Sequence, residues 1–289
     1  MKQHNTGAVR PEVMDIAVPP FSPELRWLGG EPAPVERISA GGPLLVQFID
    51  AAHLSSVRTL PYLTAWDERY SPYGLTVLGV NSPRFPFTGD EAKLAVALER
   101  LGVEFPVAID REYSAWHDYG CQGWPSLFLW GRGGTLRWFH FGEGEYAATE
   151  AAIQEELLAV SPALDLPQPV PPVRPVDAPG ALVARPTPEL LPGGSIGEPW
   201  RASGGEALEF DYEAGGAWAS VDGDGGLVVT LDGGAPQAVA VDAPGAYELS
   251  AHERHERHRM SISADGDVAI YAITFAAGLP APRAGHAAA

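Results

Sequence analysis

Apolar and polar positions alternate in two rhythms along the first half of the chain. "PLLVQFI" (43–49) and "GLTVLGVN" (74–81) are short apolar runs rich in strand formers, so each reads as a buried strand. Between them, "LSSVRTLPYLTAWDERY" (54–70) sets Val57, Leu60, Leu63 and Trp66 at helical spacing. Pro61 falls inside this segment, where it is expected to kink the helix. "GDEAKLAVALERLG" (89–102) opens on Asp90 as a cap and closes on Gly102. "FPVAID" (105–110) reads as an edge-like strand and "REYSAWHDYG" (111–120) as a short helix. "PSLFLW" and "TLRWFHF" flank Gly131-Arg132-Gly133-Gly134, a hairpin signal. "EYAATEAAIQEELLAV" (145–160) closes the series as a helix with a stripe at Ala148, Ala152, Leu157 and Leu158. The order βαβαβαββα implies a mixed sheet with helices on both faces.

The texture then changes. "SPALDLPQPVPPVRPVDAPG" (161–180) is too proline-dense for a regular element and reads as a semi-rigid spacer. Val170, Val173, Val176 and Leu182 give it apolar residues to lay on a surface. Beyond Thr187, seven short strand-like segments alternate with Gly/Asp turns, which predicts an antiparallel, jelly-roll-like sandwich. The expected organisation is a loose arm (1–23), an α/β domain (24–160), a linker (161–186), an all-β domain (187–278) and a frayed tail (279–289).

Charge narrows the partners. With 19 basic and 37 acidic residues the net charge is −18, which argues against nucleic acid or an anionic membrane surface. No run of eighteen apolar residues occurs, and the first twenty residues lack a signal peptide's apolar core, so membrane insertion is not expected and cytoplasmic residence is the default. The single cysteine, Cys121, rules out an internal disulfide and a cysteine-based zinc cluster. No cofactor-binding pattern and no metal-ligand set is read from the chain.

"YGCQGWPSLFLW" (119–130) matches the thioredoxin pattern Y-G-φ-x-G-φ-P-[ST]-φ-x-φ. "RTLPYLTAWDERYSPYGLTVLGVNSPRFPF" (58–87) and "FGEGEYAATEAAI" (141–153) resemble the thioredoxin-like C-terminal domain of DipZ-type thiol:disulfide interchange proteins. "TPELLPGG" (187–194), "LVVTLDG" (227–233) and "VAIYAITFAAG" (268–278) resemble the carbohydrate-binding-module-like sandwich that follows it there. The resemblance implies a thioredoxin fold, a cis-proline at Pro125 and membership of a thiol-redox, antioxidant family. In that family a Cys-x-x-Cys precedes the Leu-Arg-Thr-Leu-Pro-Tyr run. Here the two positions are His53 and Ser56. Exchange needs an attacking thiolate and a resolving thiol, and neither imidazole nor a serine hydroxyl replaces them.

The leading expectation is therefore a binding or scaffold module for a protein or peptide partner. Its groove would be lined by His53, Ser56, Trp124 and Pro125, where an extended peptide pairs as an added strand. His53 offers a hydrogen bond or a metal ligand, or is drift at a disused site with Ser55 or Ser56 helping to cap the helix. Cys121 is either a packed apolar side chain or the one redox thiol of an enzyme or sensor. Glycan binding by the sandwich is a third reading, for which Tyr212, Trp218 and Tyr247 would have to be exposed and coplanar. "HERHERHR" (252–259) reads as a solvated hairpin loop, with anion or adventitious metal binding as its alternative, and "DGDGG" (222–226) as a strand-connecting turn.

Overall fold

A computed structural model of the protein describes residues 16–202 and 206–281. Residues 1–15 of the expected arm and 282–289 of the expected tail lie outside the described residues. The chain divides into two compact units, Met1–Val173 and Arg174–Ala289.

The first unit holds strands β1 (Arg26–Leu28), β2 (Leu44–Ile49), β3 (Thr76–Asn81), β4 (Val107–Ile109), β5 (Ser126–Trp130) and β6 (Leu136–Phe141). Its helices are α1 (Val35–Gly41), α2 (Leu54–Tyr70), α3 (Glu91–Arg100), α4 (Ser114–Asp118) and α5 (Tyr146–Val160). The sheet order is β1-β4-β3-β2-β5-β6. Strands β2, β3 and β4 run parallel, β5 is antiparallel to β2, and β6 is antiparallel to β5. This is a thioredoxin-like fold. β2 is buried on both faces, which is why it reads as an unbroken apolar run. One face packs Leu45, Leu60, Leu63, Trp66, Leu129 and Ile153; the other packs Val46, Phe48, Leu78, Trp116 and Phe128. Truncating one of the fully buried side chains, such as Leu63 or Trp66, removes about 3–5 kcal/mol.

Three local expectations change. β4 is not an edge, because β1 pairs with it antiparallel from Arg26 opposite Ile109 to Leu28 opposite Val107. β1 is only three residues long, too short to show a period. Helix α2 runs on through Pro61, which sits on its exposed face. The arm is tied down at its end: the Val18 N–H donates to the Gly134 carbonyl (2.8 Å) and the Leu136 N–H to that of Ile16 (2.9 Å).

The start of the proline-rich segment lies on this unit. Leu164, Leu166 and Val170 pack against the core. Glu150, 1% exposed, accepts from the Tyr70 hydroxyl at 2.7 Å and from the Val170 N–H at 2.9 Å. The Val173 N–H donates to the Tyr62 hydroxyl at 2.7 Å. Proline removes N–H donors here, and the Val170 and Val173 N–H groups that remain find buried side-chain acceptors.

The second unit is all-β and antiparallel. Its strands β7 (Trp200–Arg201), β8 (Leu208–Leu231), β9 (Gln237–Val241) and β10 (Gly245–Ala276) run in the order β7-β10-β8-β9. Residues 216–221 of β8 pair with 245–251 on one side and with 270–276 on the other. The core holds Tyr212, Val221, Leu227, Met260, Ile262 and Ile270. Two segments expected as a turn and a loop are extended. "DGDGG" lies inside β8, opposite 265–269. Gly223 and Gly225 have φ of +111° and +148°, and a Cβ on either would strike the Asp267 or Asp265 carbonyl. Glycine there lets the two backbones approach with the ladder in continuous register. "HERHERHR" lies inside β10. Among the described residues, no helix is long and apolar enough to cross a membrane.

Candidate functional site

Strands β2 and β4 both end in Ile-Asp, and both aspartates turn back under the loops that follow. Asp50 is fully buried. Its carboxylate accepts from the N–H groups of Ala52 (2.8 Å), Arg84 (2.6 Å) and Phe85 (3.3 Å), and from the Thr88 hydroxyl. Burial holds this carboxyl above the usual range, and the hydrogen bonds pull it back. Asp110, also fully buried, accepts from the N–H groups of Ala115 (3.1 Å) and Trp116 (2.9 Å) and from the Ser82 hydroxyl (2.9 Å). The two aspartates thus fix the loop at 82–88 and the start of α4, which frame the turn at His53.

His53 is the N-cap of α2, with extended backbone and no side-chain cap bond; its ring is half-buried. Neither Ser55 nor Ser56 caps the helix. Ser56 is fully buried, and its Oγ accepts from the Asp50 N–H at 3.2 Å. Its carbonyl accepts from the Thr59 hydroxyl (2.6 Å), which in turn accepts from Gln47 Nε2 (2.9 Å). Ser56 therefore does not line an open groove; it is a knot in the first turn of α2. One turn on, Arg58 is paired to Glu143 at 2.6 Å, which ties α2 to the loop before α5.

Trp124 and Pro125 face this turn, and the peptide bond between them is cis. The register of Phe48 opposite Ser126 sets the ends of β2 and β5 side by side. The Trp124 and His53 rings lie 6.4 Å apart. Trp124 is half-buried, packs against Trp116 with ring centres 4.4 Å apart and planes tilted by 38°, and donates its indole N–H to the Ser82 carbonyl at 2.8 Å. It is a fixed wall, not a loose anchor, and removing it would disturb Trp116. The Pro125 carbonyl accepts from the Gly142 N–H at 2.7 Å. Among the described residues, the Trp124 amide and carbonyl have no hydrogen-bond partner.

Cys121 is partly buried and packs on the Phe48–Trp116 side of the sheet. Burial pushes its thiol well above the ordinary value, and a hydrogen bond with Ser126 offsets part of that. A thiol reagent at pH 8 is expected to label it at least tenfold more slowly in the native chain than in denaturant, because the thiolate is the reactive form. Equal rates would mean an accessible, activated thiol. In the second unit Tyr212 and Tyr247 are buried and Trp218 is half-buried, so these three do not form an exposed aromatic platform.

Sequence reading had named His53, Ser56, Cys121, Trp124 and Pro125. It had missed Asp50, Ser82, Asp110 and Trp116. The available signal was the repeated end of "QFID" and "VAID", an acid closing a strand that is otherwise apolar.

No protein-family model matches the chain. It is 31% identical over 194 residues to Protein DipZ of Mycobacterium tuberculosis, and to that of Mycobacterium bovis, covering 64% of this chain and 27% of each relative. The chain thus spans about a quarter of the length of these relatives. It is 30% identical over 132 residues to human NHL repeat-containing protein 2, covering 45% of this chain and 18% of that protein. A solved structure titled as a putative thiol:disulfide interchange protein DsbE from Chlorobium tepidum matches with a TM-score of 0.45 at 22% identity, over 50% of this chain and 98% of that one. The chain is similar to DipZ over about two thirds of its length, and its first unit has a thioredoxin-like sheet order.

Proposed function

We propose that this chain is a thioredoxin-fold binding module that takes an extended peptide along the Trp124 edge and does not perform dithiol exchange. The carrying observation is the state of the former dithiol turn. Ser56 is tied into the core through Asp50 and Thr59, while the Trp124 backbone beside it offers an N–H and a C=O to an added strand. His53 and the half-buried Trp124 give the docking strand two flanking rings. The raised thiol of Cys121 counts against a one-cysteine enzyme, and the buried Tyr212 and Tyr247 count against a glycan platform.

The test is a displayed library of unconstrained peptides panned on the full chain. Binders are expected to shift the backbone amide resonances of His53, Trp124 and Ser126. Trp124→Phe keeps a ring on Trp116 but loses the Ser82 hydrogen bond and roughly 50 Å² of contact, about 1.3 kcal/mol at about 25 cal/mol per Å². It is expected to weaken these binders about tenfold. Shifts confined to the second unit, or affinity unchanged in Trp124→Phe, would place the binding surface elsewhere.

A further inference from the structure

We propose that His252, Glu256 and His258 of the second unit form a binding site for one divalent transition-metal ion, with zinc as the reference cation. One ligand atom from each residue lies within 4.8 Å of the other two. A tetrahedral cation with ligands at about 2.1 Å holds them about 3.4 Å apart, so small side-chain rotations complete the contact.

The strand explains why these residues meet. Glu256 and His258 are two apart in β10 and so project from the same face. They stand opposite Ala214 and Tyr212 of β8. His252 lies where the register shifts between Ala251 and Glu256, and its ring stacks on His258 at 4.0 Å.

The second contacts are those of a ligand pair. His258 Nδ1 lies 2.7 Å from Asp232 Oδ2. A carboxylate there can accept from Nδ1–H, which leaves Nε2 as the ring nitrogen turned away from Asp232. That Nε2 is buried, has no hydrogen-bond partner among the described residues, and lies 3.5 Å from Glu256 Oε2. A carboxylate behind the imidazole and a second ligand in front is the arrangement that orients metal-binding histidines. His252 is held in place by the Tyr212 hydroxyl, which lies 2.8 Å from its Nε2 and 2.8 Å from Ser250 Oγ.

The neighbouring cations do not fill the place. Arg257 pairs with Asp211 (3.4 Å) and Arg259 with Glu209 (2.7 Å). His255 pairs with Glu213 at 3.6 Å and is outside the trio. Two imidazoles and a carboxylate suit zinc and its borderline neighbours; calcium and magnesium prefer oxygen alone. Three protein ligands leave one position for water.

The experiment is calorimetric titration of the full chain with zinc. One ion per chain is expected, with Kd at or below about 1 μM. Glu256→Gln and His258→Ala are expected to weaken binding at least tenfold, and His255→Ala less than twofold. Wild-type chain is expected to melt several degrees higher with zinc, and Glu256→Gln not to. Should His258→Ala fail to fold, the exposed Glu256→Gln variant decides the matter alone. No heat at about 100 μM zinc would overturn the proposal. So would an equal loss from His255→Ala and His258→Ala, which would mark a string of histidines that bind in any combination.

Discussion

An insulin-reduction assay is expected to show no turnover by this chain above the reductant alone, whereas a variant carrying both His53→Cys and Ser56→Cys is expected to exceed it at least tenfold. The wild-type expectation follows from electrons and atoms. Exchange requires one sulfur to attack and another to resolve the mixed disulfide, and neither position carries sulfur. Cys121, elsewhere in the fold and with its thiol pushed up by burial, cannot serve as a pair. The variant expectation follows from position. His53 caps α2, where the helix dipole would stabilise a thiolate, and Ser56 lies one turn further in, on the same side. Trp124 and Pro125 still face that turn. Wild-type turnover would sink the binding-module reading. A folded double variant with no gain would show that the surroundings, as well as the thiols, have departed from a redox site.

Asp50→Ala is expected to lower stability by about 3 kcal/mol. The buried N–H groups of Ala52 and Phe85, the part-buried N–H of Arg84 and the Thr88 hydroxyl lose their acceptor. Each unsatisfied buried donor costs about 1–3 kcal/mol, partly relieved by relaxation, and removing a desolvated charge gives some of this back. Asp50→Asn keeps one acceptor oxygen and is expected to fall between. The pH dependence has a definite sign. Burial raises the folded pKa of Asp50 above the unfolded 3.8. The folded state therefore takes up the proton first. The stability linked to this group is complete below 3.8 and is lost as pH rises through the folded value. Urea melts at pH 7 and pH 4.5 should show the gap between wild type and Asp50→Ala widening on acidification; a gap that narrows would mean that the hydrogen bonds, not burial, set this pKa. His140 acts in the opposite direction. Burial lowers its pKa below 6.5, so its contribution is present above 6.5 and falls as the pH drops.

Elements with a strong period were legible before the fold was seen. Helix α2 runs over Leu54–Tyr70 as its apolar spacing predicts, and Asp90 caps α3 by accepting from the Lys93 N–H at 3.0 Å. What escaped was short or non-local. β1 has three residues, and its identity rests on pairing with a strand about eighty positions away. "DGDGG" and "HERHERHR" look like turns because glycine and charge mark turns in isolation. Here β10 pairs with all of "DGDGG", and β8 pairs with residues 256–259 of "HERHERHR", so those stretches stay extended.

The local sequence determined the chemistry that is missing: with His53 and Ser56 in place, no arrangement of the chain restores a dithiol at that turn. Local pattern likewise determined the thioredoxin-like order of strands and helices, because period and capping act within a few residues. Only the tertiary structure decided that Ser56 is a core hydrogen-bond acceptor, that Asp50 and Asp110 hold the rim, and that His252, Glu256 and His258 lie together. Those outcomes depend on burial and on strand register. Burial sets whether a polar group must find a partner, register sets which partner is within reach, and both are properties of segments far apart in the chain.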